Sequence, residues 1–238
     1  GIGGDCFALL WSAREKRAIG LNGSGRAPMG LTAEWLLAQG HKTIGTDSVH
    51  SVTVPGAVAA WDRLLADHGR LGLGPALAPA IRLAAEGFAV TPRVAVDWRR
   101  DADRLAKDKN ATRIFLPGGK SPLAGEVHRQ PELAETLRAI AREGRDGFYK
   151  GPVAADMVGY LQSQGGRHSL DDFARHAVDY VEPISTRYRG VDVLEIPPNG
   201  QGITALLMLN ILSGFDLARL DPHGAERFHL EAEAGRLA

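Results

Sequence analysis

The sequence of 238 residues predicts an α+β fold, and three observations along the chain indicate it. Near the start, Phe7–Ser12 and Ala18–Asn22 are short apolar segments joined by a polar turn, a pattern typical of a β-hairpin. The middle of the chain is dominated by helical patterns. In the last third, Ile184–Tyr188 and Val191–Ile196 flank Arg189-Gly190, which predicts a second hairpin. Strands and helices that are segregated along the chain in this way indicate α+β.

The first strand is apolar on both of its faces. Phe7, Leu9 and Trp11 alternate with Ala8 and Leu10, whereas a strand with one solvated face shows a polar residue at every second position. We therefore expect this strand to be covered on both sides.

The helical segments begin or end at recognisable signals, such as a Ser or Thr before the first turn and a Gly after the last. The segments expected to be helical are Thr32–Gln39, Ala57–His68, Leu77–Glu86, Arg93–Lys107, Glu132–Glu143, Val153–Gln164, a helix starting at Ser169, Gln201–Leu212 and His223–Ala238. Lys107–Lys120 is the most loop-like insert, and Pro197–Gly200 predicts a loop. No domain boundary is evident, so the sequence predicts a single domain over residues 1–238.

Composition excludes several classes of protein. Lys and Arg number 28, and so do Asp and Glu, so no net charge favours nucleic acid or an anionic membrane as a partner. No apolar run reaches the length of a membrane span. Cys6 is the single cysteine, so no internal disulfide can form, and the compartment, cytoplasmic or periplasmic, is not decided.

No cofactor or metal is predicted. The glycines at the start lack the G-x-G-x-x-G spacing and are not followed by a P-loop lysine. The histidines show no metal-binding spacing and are expected at the surface or at helix caps. Cys6 has no histidine near it in sequence to act as a base, and a small buried side chain is favoured over a nucleophile. Ser24 does not lie in a G-x-S-x-G elbow and is expected to be a turn serine.

Arg26 carries the charge of most interest. It lies in the segment Asn22–Pro28, which we call the Arg26 loop. A guanidinium can hold a carboxylate through two parallel hydrogen bonds, so an Arg beside a glycine-rich loop is suited to clamp an anionic substrate. The alternative is an ion pair that braces the loop.

Six short motifs follow one another in a particular order: GIGGDCF at Gly1–Phe7, NGSGRAP at Asn22–Pro28, SVTVPG at Ser51–Gly56, QPELAETL at Gln130–Leu137, GFYKG at Gly147–Gly151 and YRG…PPNGQG…LNIL at Tyr188–Leu212. In this order they resemble the large subunit of the γ-glutamyltransferase family, over essentially the whole chain. The resemblance implies an Ntn-hydrolase αββα sandwich, of which this chain would be the large-subunit part, cut at both ends.

The resemblance also implies a mechanism. Such a precursor cleaves itself before a Thr, whose hydroxyl then attacks an amide carbonyl and forms an acyl-enzyme. The chain contains no Thr-Thr-His sequence, so it is expected to hold no catalytic residue and to pair with the small subunit of the same precursor.

Ser24 and Arg26 are the candidate substrate-binding residues, Ser24 through the resemblance and Arg26 through its charge. The family's carboxylate-binding Arg lies four residues before the Pro of an R-E-x-A-P motif, a position that Ser24 occupies here, while Arg26 lies two residues further on. The Pro197–Gly202 stretch also differs from the family's P-P-P-S-S-G-G. Both variants are similar to the amidohydrolase and acylase branches, including oxamate amidohydrolases. The substrate would be a γ-glutamyl amide or another small anionic amide, and a non-catalytic scaffold is the alternative of another class.

Overall fold

The computed structural model describes residues 2–238, and Gly1, the first residue of the Gly1–Phe7 motif, lies outside the described residues. The strands of this part of the chain are β1 Cys6–Ser12, β2 Arg17–Gly23, β3 Phe88–Ala89, β4 Val127–His128, β5 Asp179–Val181, β6 Ile184–Tyr188 and β7 Val191–Glu195. The α-helices are α1 Ala33–Ala38, α2 Ala57–His68, α3 Leu73–Glu86, α4 Pro92–Arg100, α5 Ala102–Leu105, α6 Lys109–Phe115, α7 Pro131–Glu143, α8 Asp146–Tyr149, α9 Gly151–Ser163, α10 Leu170–Arg175, α11 Gly202–Leu212 and α12 Ala225–Leu237. The chain is α+β, as the sequence predicts.

Contacts between Cα atoms divide the chain into two compact units. Of the described residues, the first comprises 2–63 and Leu161–Ala238, and the second comprises Leu64–Tyr160. Two compact units can still belong to one folding domain, so the single domain expected from the sequence stays a prediction.

A three-stranded antiparallel sheet of order β1-β2-β5 organises the first unit. The predicted hairpin is confirmed, with Cys6 opposite Gly23 and Ser12 opposite Arg17. The middle strand is the buried one, and Leu21 is fully buried. The short strand β5, which the sequence did not predict, pairs with the second half of β2.

Within residues 2–238 only one face of the first strand is covered, so the expected covering of its second face stays a prediction for the complete protein. Phe7, Leu9 and Trp11 are 39%, 45% and 65% exposed, whereas the alternating residues Ala8 and Leu10 are half-buried. Among residues 2–238, β1 pairs only with β2 and is therefore an edge strand. This outward row is called the β1 face below.

The second predicted hairpin is also confirmed. Strands β6 and β7 pair through the turn Arg189-Gly190, where both residues have positive φ, as a tight primed turn requires. A small core next to this hairpin consists of Leu212, Leu217 and Ala234, against which Tyr188 packs.

Helices α3 and α7 contact each other in the second unit. Buried apolar side chains from the two helices include Leu77, Ala84, Leu137 and Ile140. The sequence predicted α3 from Leu77, but the helix begins at Leu73.

The prediction that residues 107–120 form a loop is wrong, because helix α6 forms there. Asp108 caps this helix, since its carboxylate accepts the Ala111 N–H at 2.7 Å and also the Tyr160 hydroxyl. The helix expected at 93–107 is interrupted at Asp101 between α4 and α5. None of the helices within residues 2–238 combines the length and apolar composition needed to cross a membrane.

Candidate functional site

Three of the sequence motifs meet where β2 ends. The Val54 N–H donates to the Arg26 carbonyl oxygen at 2.9 Å, which joins the third motif to the Arg26 loop. The Gly56 N–H donates to the Gly4 carbonyl oxygen at 3.1 Å, which joins the third motif to the first. Backbone contacts therefore assemble motifs that are separated along the sequence.

Glycine is required at two of these crossings by close approach of the backbones. A Cβ on Gly25 would lie 2.0 Å from the Val54 carbonyl oxygen, and a Cβ on Gly56 would lie 2.0 Å from the Gly23 carbonyl oxygen. Because the obstructing atoms belong to the backbone, a side chain cannot be accommodated by a rotamer change.

The Arg26 loop borders a polar depression of about 270 Å³, which we call the Arg26 pocket. The residues that line it are Asn22, Ser24, Gly25, Arg26, Ala177, Asp179 and Asn199. The Asn22 amide donates to the side-chain oxygen of Asn199 at 2.7 Å, and the Ser24 N–H donates to the side-chain oxygen of Asn22 at 2.9 Å. Asn199 belongs to the PPNGQG stretch, so a fourth motif reaches the same place.

Arg26 lies at the pocket with its side chain 79% exposed. One guanidinium nitrogen is 3.7 Å from a carboxylate oxygen of Asp179, whose side chain is also exposed. A long, solvated pair of this kind is weak. The guanidinium therefore keeps donor capacity for a ligand carboxylate, although such a carboxylate would have to compete with Asp179.

Ser24 lies in the loop directly after β2. Its hydroxyl donates to a carboxylate oxygen of Asp5 at 3.4 Å, and the Gly25 N–H donates to the other oxygen at 2.7 Å. Ser24 therefore presents a neutral hydroxyl that is engaged with Asp5.

A segment before and within α10 holds the loops of the site from the other side. The Asp172 carboxylate caps α10 through Ser169 and also accepts the Met29 N–H at 3.0 Å. The Arg167 guanidinium donates to the Gly30 carbonyl oxygen at 3.3 Å. The chain directly after Arg26 is therefore anchored by two charged side chains.

His168 anchors the neighbouring loop. Its ring is 1% exposed, and Nε2 lies 3.0 Å from the Val52 carbonyl oxygen, so Nε2 carries the donated proton. Nδ1 is buried and has no hydrogen-bond partner within residues 2–238. Burial lowers the pKa of His168 below its ordinary value, and this outweighs the opposing effects of the Val52 hydrogen bond and of the Asp172 charge.

The protein is expected to lose stability as the pH falls below about 6.5, the ordinary pKa of histidine. The folded-state pKa of His168 is lower than the unfolded one, so below that pH the unfolded chain binds more protons and unfolding is favoured. His128, whose pKa burial also lowers, contributes with the same sign. The effect is measured as the thermal unfolding midpoint at pH values between 5 and 8. His168→Gln is expected to make this midpoint depend less on pH. His229→Gln, which replaces an exposed histidine, is expected to leave the pH dependence unchanged. An unchanged pH dependence for His168→Gln would contradict this assignment.

The expectation of histidines at the surface or at helix caps is wrong for His128 and His168, which are buried, whereas His176 is buried but forms the C-cap of α10. In the part of the chain that the structure describes, no group of three His, Cys, Asp or Glu side chains could hold a metal ion. Cys6 is half-buried, and burial raises the pKa of its thiol, although a hydrogen bond with Trp61 lowers it in part, so the thiol is a poor nucleophile.

Sequence reasoning singled out Arg26 and Ser24, and the structure brings them to one pocket. It missed Asn22, Asp179 and Asn199 as lining residues. Asn22 and Asn199 lie inside motifs that were noticed, so their position was a usable signal. Asp179 lies in β5, a strand too short to be detected from periodicity.

The family model described as Gamma-glutamyltranspeptidase matches residues 1–238. The chain belongs to the gamma-glutamyltranspeptidase family. Its backbone superposes on members of that family and of an acylase group. The superposition on the gamma-glutamyltranspeptidase of Helicobacter pylori has a TM-score of 0.90 at 30% sequence identity. It covers 99% of this chain and 68% of that one. The superposition on the cephalosporin acylase of Bacillus halodurans has a TM-score of 0.91 at 42% identity, and it covers 100% of this chain and 45% of that one. The fold is thus that of an Ntn hydrolase.

Curated relatives of this gamma-glutamyltranspeptidase-family chain include proteins named as hydrolases and as acylases. It is 37% identical to the glutathione hydrolase-like YwrD proenzyme of Bacillus subtilis over 98% of its own length and 44% of that protein. It is also 37% identical to the acylase ACY 1 proenzyme of Pseudomonas sp. strain SE83 over 79% of its own length and 34% of that protein. The chain therefore spans less than half the length of these relatives.

Proposed function

We propose that this chain is the large-subunit portion of an enzyme that cleaves an amide, or transfers its acyl group, through an acyl-enzyme on a threonine outside the chain. The observation that carries the proposal is the family match over residues 1–238, together with relatives named as proenzymes. In this scheme the small subunit of the same precursor supplies the Thr and the chain supplies part of the acyl-binding pocket.

Within that enzyme, Arg26 would hold the carboxylate of an anionic acyl group. It is the only cationic side chain lining the Arg26 pocket among the described residues. Asn22, Asn199 and Ser24 surround it with neutral donors and acceptors, which suits orientation of a small polar group. An anionic group in a site that the rest of the protein covers needs a charged partner, because desolvating an unpaired carboxylate is costly.

A small anionic amide other than a γ-glutamyl compound is the second candidate substrate, and two observations favour it. The neutral Ser24 occupies the family's usual Arg position and donates to Asp5. The identity to the cephalosporin acylase of Bacillus halodurans is 42%, against 30% to the gamma-glutamyltranspeptidase of Helicobacter pylori. An oxamate-type amide and a chromogenic γ-glutamyl anilide separate the two substrate classes.

The test of the proposal is the full-length gene product. Mass spectrometry is expected to find two polypeptides, the second beginning with Thr, and the mixture is expected to turn over one of the two amides. The 238-residue chain alone is expected to turn over neither. An unsplit product, or turnover by this chain alone, would contradict the proposal.

The isolated chain is also expected to aggregate through the β1 face. Phe7, Leu9 and Trp11 form an exposed apolar row on an edge strand, and such a row favours association with other chains. Light scattering is expected to fall in the double variant Leu9→Lys/Trp11→Lys. The matched control Val191→Lys removes an exposed apolar side chain elsewhere and is expected to leave scattering unchanged. A monodisperse wild-type chain would argue against this prediction.

A further inference from the structure

The Asp5 side chain joins the two chain segments at the open end of the β1–β2 hairpin. Asp5 directly precedes β1, and its carboxylate accepts the Gly25 N–H at 2.7 Å through one oxygen and the Ser24 O–H at 3.4 Å through the other. A single carboxylate therefore contacts the two residues that precede Arg26.

This contact occurs where the sheet no longer determines the backbone. The β1–β2 ladder ends with Cys6 opposite Gly23, so the Gly25 N–H has no partner strand in the ladder. Asp5 supplies the missing acceptor, and a hydrogen bond from an N–H to a carboxylate is stronger than one to a neutral oxygen.

The opposite side of the loop is restrained by the backbone of the third motif. Val54 donates its N–H to the Arg26 carbonyl oxygen at 2.9 Å, and its own carbonyl oxygen leaves no room for a Cβ on Gly25. Asp5 and Val54 thus hold the loop at successive residues, which leaves the Arg26 backbone little freedom.

We propose that Asp5 is a positioning residue that holds Ser24 and Gly25 so that the Arg26 guanidinium faces the Arg26 pocket. This inference rests on the proposed function, in which Arg26 holds the acyl carboxylate. Asp5 itself does not line the pocket, so it acts on binding through Arg26.

The kinetic consequence is specific to anionic substrates. Losing the Asp5 carboxylate releases the loop and misplaces Arg26, so KM for a carboxylate-bearing amide is expected to rise about tenfold while kcat stays within about threefold. Asp5→Asn keeps one side-chain oxygen for the Gly25 N–H and is expected to restore most of the affinity.

The experiment uses the complete, processed enzyme with Asp5→Ala and Asp5→Asn, each in the presence of Arg26 and in the Arg26→Ala background. Asp5→Ala is expected to raise KM only where Arg26 is present. Asp192→Ala, which removes an exposed carboxylate that pairs with Arg187 in the second hairpin, is the matched control and is expected to change nothing. An equal rise of KM in both backgrounds would overturn the proposal, because the effect would then not pass through Arg26.

Amide hydrogen exchange of the peptide that contains Gly25 provides a readout that does not depend on activity. Exchange is expected to accelerate in Asp5→Ala at an unchanged unfolding midpoint and to stay near wild type in Asp5→Asn. Unchanged exchange in Asp5→Ala overturns the inference. If exchange accelerates but Arg26→Ala by itself leaves KM unchanged, the clamp role of Arg26 is what fails, and the hold of Asp5 on the loop stands.

Discussion

Replacing Arg26 by alanine in the complete, processed enzyme is expected to lower kcat/KM for an anionic amide by roughly 10- to 150-fold. This corresponds to the loss of one charge-assisted hydrogen-bonded contact, about 1.5–3 kcal/mol. Arg26→Lys keeps the charge without the planar fork and is expected to lose less. Steady-state kinetics with an anionic amide and with its uncharged analogue measure the effect, and only the anionic substrate is expected to be affected.

Two further variants separate a substrate clamp from a loop brace. Ser24→Ala is expected to change kcat/KM by less than about threefold, since it removes only one long hydrogen bond, to the Asp5 carboxylate, while the Gly25 N–H keeps its shorter bond to the same group. Asp179→Asn removes the carboxylate that competes for Arg26 and is expected to lower KM for the anionic substrate. If Arg26→Ala leaves kcat/KM near the wild-type value while Asp179→Asn lowers the unfolding midpoint, Arg26 is a loop brace.

Gly56→Ala is expected to lower the free energy of unfolding by about 3 kcal/mol. The new Cβ would lie 2.0 Å from the Gly23 carbonyl oxygen, so the third motif or the Arg26 loop would have to move. Denaturant unfolding of the enzyme measures the stability. Because the displaced backbone leads directly to Arg26, kcat/KM for the anionic amide is expected to fall as well.

Gly45→Ala is the matched control for this change. A Cβ on Gly45 would meet no atom within 4 Å, and Gly45 does not have a positive φ. The free energy of unfolding of Gly45→Ala is therefore expected to stay within about 0.5 kcal/mol of the wild-type value. Equal free energies of unfolding for the two variants would show that the close contact between the third motif and the Arg26 loop does not stabilise the fold.

The sequence predicts those elements of the fold whose formation depends on turn residues and helix caps close to them in the chain. The Arg189-Gly190 turn forms because two central residues can adopt positive φ, and α10 starts at Ser169 because a serine and an aspartate three residues apart cap each other. Helix α6 was missed although Asp108 provides a local N-cap, because its seven residues are too few for a clear helical periodicity within a polar stretch. Strand β5 was missed because three residues carry no usable periodicity.

The sequence by itself determined the α+β class, both hairpins, most helices and the family, because these depend on periodicity, turn residues and the order of motifs. The tertiary structure decided what surrounds each side chain. It shows that Phe7, Leu9 and Trp11 lie on an uncovered face and that three histidines are buried. It also brings Arg26 to Asp179 across a long stretch of chain and directs the Asp5 carboxylate to the Gly25 N–H. Such contacts depend on which segments cross in space, and neither spacing nor residue type records that information.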